Sequence, residues 1–152
     1  MSNDRIIDVL NGLIEISRDG AKGFRTCAED TDDAALKPYF ENRAQSCENA
    51  IRELSGEVRR YGGDPDTGGT VTGALHRAWV DLKTALASGN SFEVLEECER
   101  GEAAAVIAYE NALREELPGN LRALLELQCD GAKRNHDRVR QLRDTARHTS
   151  LT

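Results

Sequence analysis

The chain has 152 residues, 39% of them hydrophobic and 31% charged, with three prolines and little aromatic content. A net charge of −7 argues against a general nucleic-acid binder, which carries a basic face or stripe. No apolar run approaches the roughly 20 residues that a membrane span needs. The length fits one domain, residues 1–152, that buries roughly two-thirds of its unfolded surface. Small core residues and few aromatics suit a helical bundle better than a sheet. The start MSNDRIIDVL lacks the basic and apolar regions of a signal peptide, so a cytoplasmic location is expected.

The first helix is expected over about 4–30, after Ser2 or Asn3 as N-cap, with the stripe Ile6, Leu10, Leu13, Ser17, Gly20, Phe24, Ala28. Thr31-Asp32-Asp33 breaks the chain. A second helix follows over about 34–61, with Phe40, Ala44, Cys47, Ile51, Leu54 and Val58 on one face and Pro38 in its first turn. Gly62-Gly63 ends it, and the Gly-, Pro- and Asp-rich stretch 64–69 reads as a loop. A shorter helix is expected over about 71–88, where Trp79 packs it onto the bundle and His76 caps or lies at the surface. Gly89-Asn90 stops that helix, and Ser91 caps a third long helix over about 91–117. Pro118-Gly119-Asn120 is a tight turn before the last helix, about 120–146, and a frayed tail from His148. One cysteine falls on each long helix (Cys27, Cys47, Cys98, Cys129), without a Cys-x-x-Cys, as expected of small core residues in a reducing compartment.

Connection lengths carry the topology. The first and second long helices are about three residues apart, as are the third and fourth, so each pair forms an antiparallel hairpin. The second and third are separated by nearly thirty residues, enough to travel the length of a bundle. Two hairpins joined by one long crossover make an all-α, ferritin-like four-helix arrangement with an extra short helix; the competitor is a plain up-down five-helix bundle. Glu93, Glu96, Glu97 and Glu99 open the third helix, and Arg138, Arg140, Arg143 and Arg147 close the fourth. Antiparallel pairing brings these ends together, so the basic run reads as a structural face.

Two polar residues stand where the stripes should be apolar. Glu102 follows Leu95 and Cys98 on the third helix, and His136 follows Gln128 and Ala132 on the fourth. Pairing about the tight turns sets Glu102 level with Asn135 or His136, Tyr109 level with Gln128, and Ser17 and Gly20 level with Arg43 to Cys47. The pattern leads to a buried polar network of Arg43, Glu102, His136 and Ser17, with Tyr109–Gln128 as a second pair. The competing reading is a metal site. A di-iron carboxylate centre takes a Glu from each of two helices and Glu-x-x-His from each of two others. Here Lys133 precedes His136 where a Glu is needed, and the second helix has no histidine. No metal or other cofactor is therefore expected; the alternative is iron at Glu102, His136 and Glu99. Phosphate loops, nucleophile elbows and catalytic Cys/His pairs are missing from the sequence, so no catalytic residue is assigned.

The runs Leu13-Ile14-Glu15, Asp19-Gly20-Ala21-Lys22-Gly23-Phe24, Gly73-Ala74-Leu75-His76-Arg77, Trp79-Val80-Asp81-Leu82-Lys83, Glu97-Cys98-Glu99-Arg100-Gly101-Glu102, Ala108-Tyr109-Glu110, His136-Asp137 and Leu142-Arg143-Asp144 resemble an uncharacterised bacterial ferritin-like family of about 150 residues. The resemblance implies a four-helix ferritin-like bundle without an established activity. It also implies a Glu where this chain has Ala21, a departure that removes a potential first-helix ligand. The expected function is a non-enzymatic helical module, stress-related, that self-associates or binds an unknown protein partner, with no nucleic acid and no membrane. The alternative is a metal-binding protein or metal-dependent oxidoreductase on the ferritin-like plan.

Overall fold

A computed structural model describes residues 1–69, 71 and 73–150, with the side chains of all of these except Ala74, His76 and 148–150. The expectations for His76 and for the tail from His148 fall on side chains outside that set. In chain order the helices are α1 (Asn3–Asp30), α2 (Lys37–Arg60), α3 (Gly73–His76), a 3₁₀ turn at Arg77–Trp79, α4 (Leu82–Ala87), α5 (Ser91–Leu113) and α6 (Gly119–Ser150). No strand occurs among the described residues.

Side chains at the helix ends account for these boundaries. The Ser2 hydroxyl accepts from the Arg5 amide at the start of α1. The Asp33 carboxylate accepts from the amides of Ala35 and Leu36. That turn holds residues 34–36 outside the helix, so α2 begins at Lys37 rather than at 34. Asn90, rather than Ser91, caps α5, its side-chain oxygen accepting from Phe92 and Glu93. At the other end of α5, Arg122 donates to the carbonyls of Leu113 and Glu115. Capturing those carbonyls from α6 ends α5 four residues before the expected Leu117.

Contacts fix the direction of each helix. A Cβ on Gly20 would meet Cys47, and one on Gly63 would meet Ile7, so α2 runs antiparallel to α1. Arg5 pairs with Glu115, and Cys27 lies against Cys98 with 3.8 Å between sulfurs, so α5 is also antiparallel to α1. It follows that α2 and α5 are parallel. Tyr109 meets Gln128 and Glu99 meets His136, which sets α6 antiparallel to α5. The result is two antiparallel hairpins joined by a crossover that runs the length of the bundle.

The bundle core is two apolar clusters rather than one. Ile6, Leu10, Leu13, Ile14, Leu54, Val58, Leu121 and Leu125 fill one end. Phe24, Phe40, Ala44, Leu82, Val94, Leu95 and Val139 fill the other. Each cluster draws on α1, α2, α5 or its flank, and α6, so the ends are closed by burial of apolar surface.

The crossover does not form a single helix from 71 to 88. It breaks into short pieces around Trp79, whose indole enters a slot between α1 and α5. A Cβ on Gly23 would lie 2.5 Å from one edge of that ring, and one on Gly101 2.1 Å from the other. Phe24 meets it edge-on with centroids 5.1 Å apart. Further along, Asn11 is buried on α1, and its amide donates to the Asp64 carbonyl and the Thr67 hydroxyl. The Gly69 amide donates to Glu15, and a side chain at Gly69 would strike the backbone of Gly12 and Asp8. Asn11→Ala is expected to cost about 1–3 kcal/mol, the loss of its two hydrogen bonds to the exposed loop residues Asp64 and Thr67. Amide hydrogen exchange over 64–69 should accelerate while the bundle interior stays protected; unchanged exchange there would show that Asn11 does not hold that loop.

Candidate functional site

Between the two apolar clusters lies a polar layer, built where the helix stripes carry small and charged residues. Its centre is an ion pair between hairpins. From α2, Arg43 Nε donates to Glu102 Oε2 and Nη2 to Oε1, both at 3.0 Å. The side chains are only 12% and 5% exposed, so the bidentate pair is largely withdrawn from water. Burial works against the Arg43 charge, but Glu102 outweighs it and holds the guanidinium charged more firmly than usual. The face of Phe24 lies 5.2 Å below the guanidinium carbon, adding a cation–π contact.

Cys47 sits one turn along α2, with its sulfur 4.0 Å from Arg43 Nη2 and in the space that Gly20 leaves open. Burial pushes its thiol up to about 11, against the opposing effect of Arg43, so it remains protonated at neutral pH. Tyr109 donates to Gln128 Oε1 at 2.9 Å, while Gln128 Nε2 is buried without an acceptor among the described residues. Burial raises the Tyr109 phenol, and the adjoining Ser17 hydroxyl opposes that shift. Tyr39 is raised by burial and then by Glu102.

Two expectations are corrected. His136 pairs with Glu99, at 2.7 Å, and not with Glu102. Glu99 lies almost one helical turn before Glu102, on the flank of α5 that faces α6, whereas Glu102 turns toward α2. Ser17 adjoins Tyr109 instead of completing the Glu102 carboxylate. The charged ends of α5 and α6 do meet, but by different contacts from those expected. Arg147 lies over the Phe92 ring, Arg143 pairs with Asp144, and a hydrogen bond between His136 and Glu99 joins the helices. Glu97, named above only among the glutamates that open this helix, is buried; Arg100 pairs with one oxygen and the other has no partner among the described residues. Burial raises its carboxyl. Its position one residue before Cys98, beside the stripe, was the available signal.

The α2–α6 side of the layer is hollow. A cleft of about 190 Å³ opens there, floored by α1 and α5 and reached by Ser17, Arg43, Glu53, Tyr109, Gln128 and Asn135. Small residues at Gly20, Ala50, Ala105, Gly131 and Ala132 line the remaining wall and leave it unfilled.

A metal at mid-bundle does not fit these side chains. Arg43 engages both oxygens of Glu102, placing a cation where a metal would need free carboxylate lone pairs. Among the described residues no three His, Cys, Asp or Glu side chains gather at metal-binding distance.

These features define a helical bundle whose mid-section is ion-paired and partly hollow. Residues 5–115 match the family described as a domain of unknown function, DUF2383, and the chain belongs to that family. The match takes in Ser17, Arg43, Glu102 and Tyr109, and stops before the α6 residues Gln128 and His136. No curated protein matches the chain.

Proposed function

We propose that this protein is a non-enzymatic helical module of bacterial, ferritin-like descent, in which an ion pair between two of its own helices takes the place of a metal centre. The observation that carries this reading is the bidentate Arg43–Glu102 contact. A guanidinium there neutralises the buried carboxylate and links the two hairpins, as a bridging metal would, without redox or Lewis-acid chemistry. The outer faces then serve a protein partner or a second copy. A cytoplasmic setting is supported by four free thiols at Cys27, Cys47, Cys98 and Cys129. Among the described residues no helix is long and apolar enough to cross a membrane.

Elemental analysis of protein purified from iron- and zinc-supplemented cells tests this. Well under one equivalent of either metal is expected. One or more equivalents, lost in a Glu102→Ala/His136→Ala variant, would instead favour an iron site using Glu102, His136 and Glu99.

A further inference from the structure

We propose that Cys27 and Cys98 form a disulfide that locks the two hairpins together, and that this bond is made when the hairpins come apart and close again. The two sulfurs lie 3.8 Å apart across the α1–α5 contact, and both residues are fully buried. Closing that gap to the roughly 2 Å of an S–S bond moves each sulfur by about 1 Å. One turn away, the Trp79 ring fills the gap between Gly23 of α1 and Gly101 of α5. That packing holds the two helices at the separation which brings the sulfurs together. The other thiols are placed elsewhere: Cys47 lies beside Arg43, and Cys129 belongs to the opposite apolar cluster.

Burial decides when the chemistry happens. In the closed bundle no oxidant reaches either sulfur, and burial raises the Cys98 thiol, which keeps it protonated and unreactive. The two residues belong to different hairpins, so separation of the halves exposes both at once. A small disulfide, R–S–S–R, then supplies the oxidation. One exposed thiolate attacks a sulfur of R–S–S–R, forms a mixed disulfide and expels the first R–S⁻, which takes up a proton. As the halves approach, the second thiolate attacks the chain sulfur of that mixed disulfide. The Cys27–Cys98 bond forms and the second R–SH leaves, so the chain loses two hydrogens and R–S–S–R becomes two thiols. Once the bundle closes, the bond is as buried as the thiols were, and a reductant reaches it only at the next opening. The lock is set under oxidising conditions; the protein described above is its reduced form.

Incubation of the full chain with oxidised glutathione, in buffer and in urea below the unfolding midpoint, tests the lock. Urea populates the open halves, so oxidation should run about tenfold faster there or more. Alkylation and peptide mapping should then join Cys27 to Cys98 within one chain, with Cys47 and Cys129 alkylated. A disordered chain would give another pattern. Cys27–Cys47 and Cys98–Cys129 close shorter loops than the 71 positions between Cys27 and Cys98, so random closure favours them. The oxidised protein should melt roughly 10 °C higher, as expected for a bond closing so long a loop. Cys98→Ala should lose both the linkage and the rise in Tm; the map of the parent protein decides the matter if that variant does not fold. Absence of the Cys27–Cys98 linkage, or its formation no more often than the two shorter ones, would overturn the proposal. So would oxidation as fast in buffer as in urea, or an oxidised form that melts no higher. None of these outcomes depends on metal content, so this proposal and the one above fail separately.

Discussion

Arg43→Ala is expected to destabilise the protein by about 3–5 kcal/mol, because it strands the Glu102 carboxylate in a layer almost closed to water. A domain of this size loses about 2–4 °C of Tm per kcal/mol, so thermal unfolding should move down by about 10 °C. Glu102→Ala should cost a similar amount by stranding the guanidinium. The informative variant is the double replacement Arg43→Met/Glu102→Leu. If the pair chiefly fixes which residues face each other, the apolar replacement should restore stability or exceed it by about 1–4 kcal/mol. Calorimetry of the three variants decides the matter. A Tm within about 1 °C of the parent for either single variant would show that the pair does not hold the hairpins together.

Gly101→Ala is expected to expel Trp79 from its slot at a cost of about 1–3 kcal/mol, the usual range for overpacking. A methyl at that position would sit 2.1 Å from the indole, and the ring cannot retreat because Gly23 and Phe24 close its other sides. Helix propensity works the other way, favouring alanine over glycine by about 1 kcal/mol, so the net loss measures how firmly the slot grips the ring. Trp79 is the single tryptophan of the chain, which makes its fluorescence a direct reporter. The emission should shift to the red as the indole meets water. Combining Gly101→Ala with Trp79→Ala should cost less than the sum of the separate changes, since both act on one contact. Unaltered emission in Gly101→Ala would mean that the bundle widens to keep the ring.

The helix stripes and short connections made the hairpins legible: the turns, expected at about three residues, are six (31–36) and five (114–118), still short enough to leave little freedom in how their helices align. The same alignment sets Tyr109 opposite Gln128 and, through the parallel course of α2 and α5, Arg43 near Glu102. It does not resolve one side of a helix from the next. Glu99 and Glu102 are three residues apart, so both are compatible with His136 by level, and only the rotation of α5 about its axis decides between them. The Trp79 slot was beyond reach for another reason. Gly23 and Gly101 are visible as glycines inside helices, but what fills the gap depends on where the crossover passes, which no local pattern encodes. Asn11 was missed although it interrupts the apolar run Leu10 to Ile14; an amide there was a sign of a backbone held against the helix.

Each hairpin closes over a short turn, whereas α1 and α5 meet through residues 71 and 110 positions apart. Loop-closure entropy therefore favours forming each helical pair by itself before the pairs dock. Arg43 and Glu102 belong to different pairs, so until docking each remains hydrated on its own half. The penalty of stripping water from both falls at the closing step, together with their mutual attraction. A half with its apolar stripe exposed thus carries an ionised group in the middle of that stripe, which disfavours pairing with another copy of itself in the wrong register.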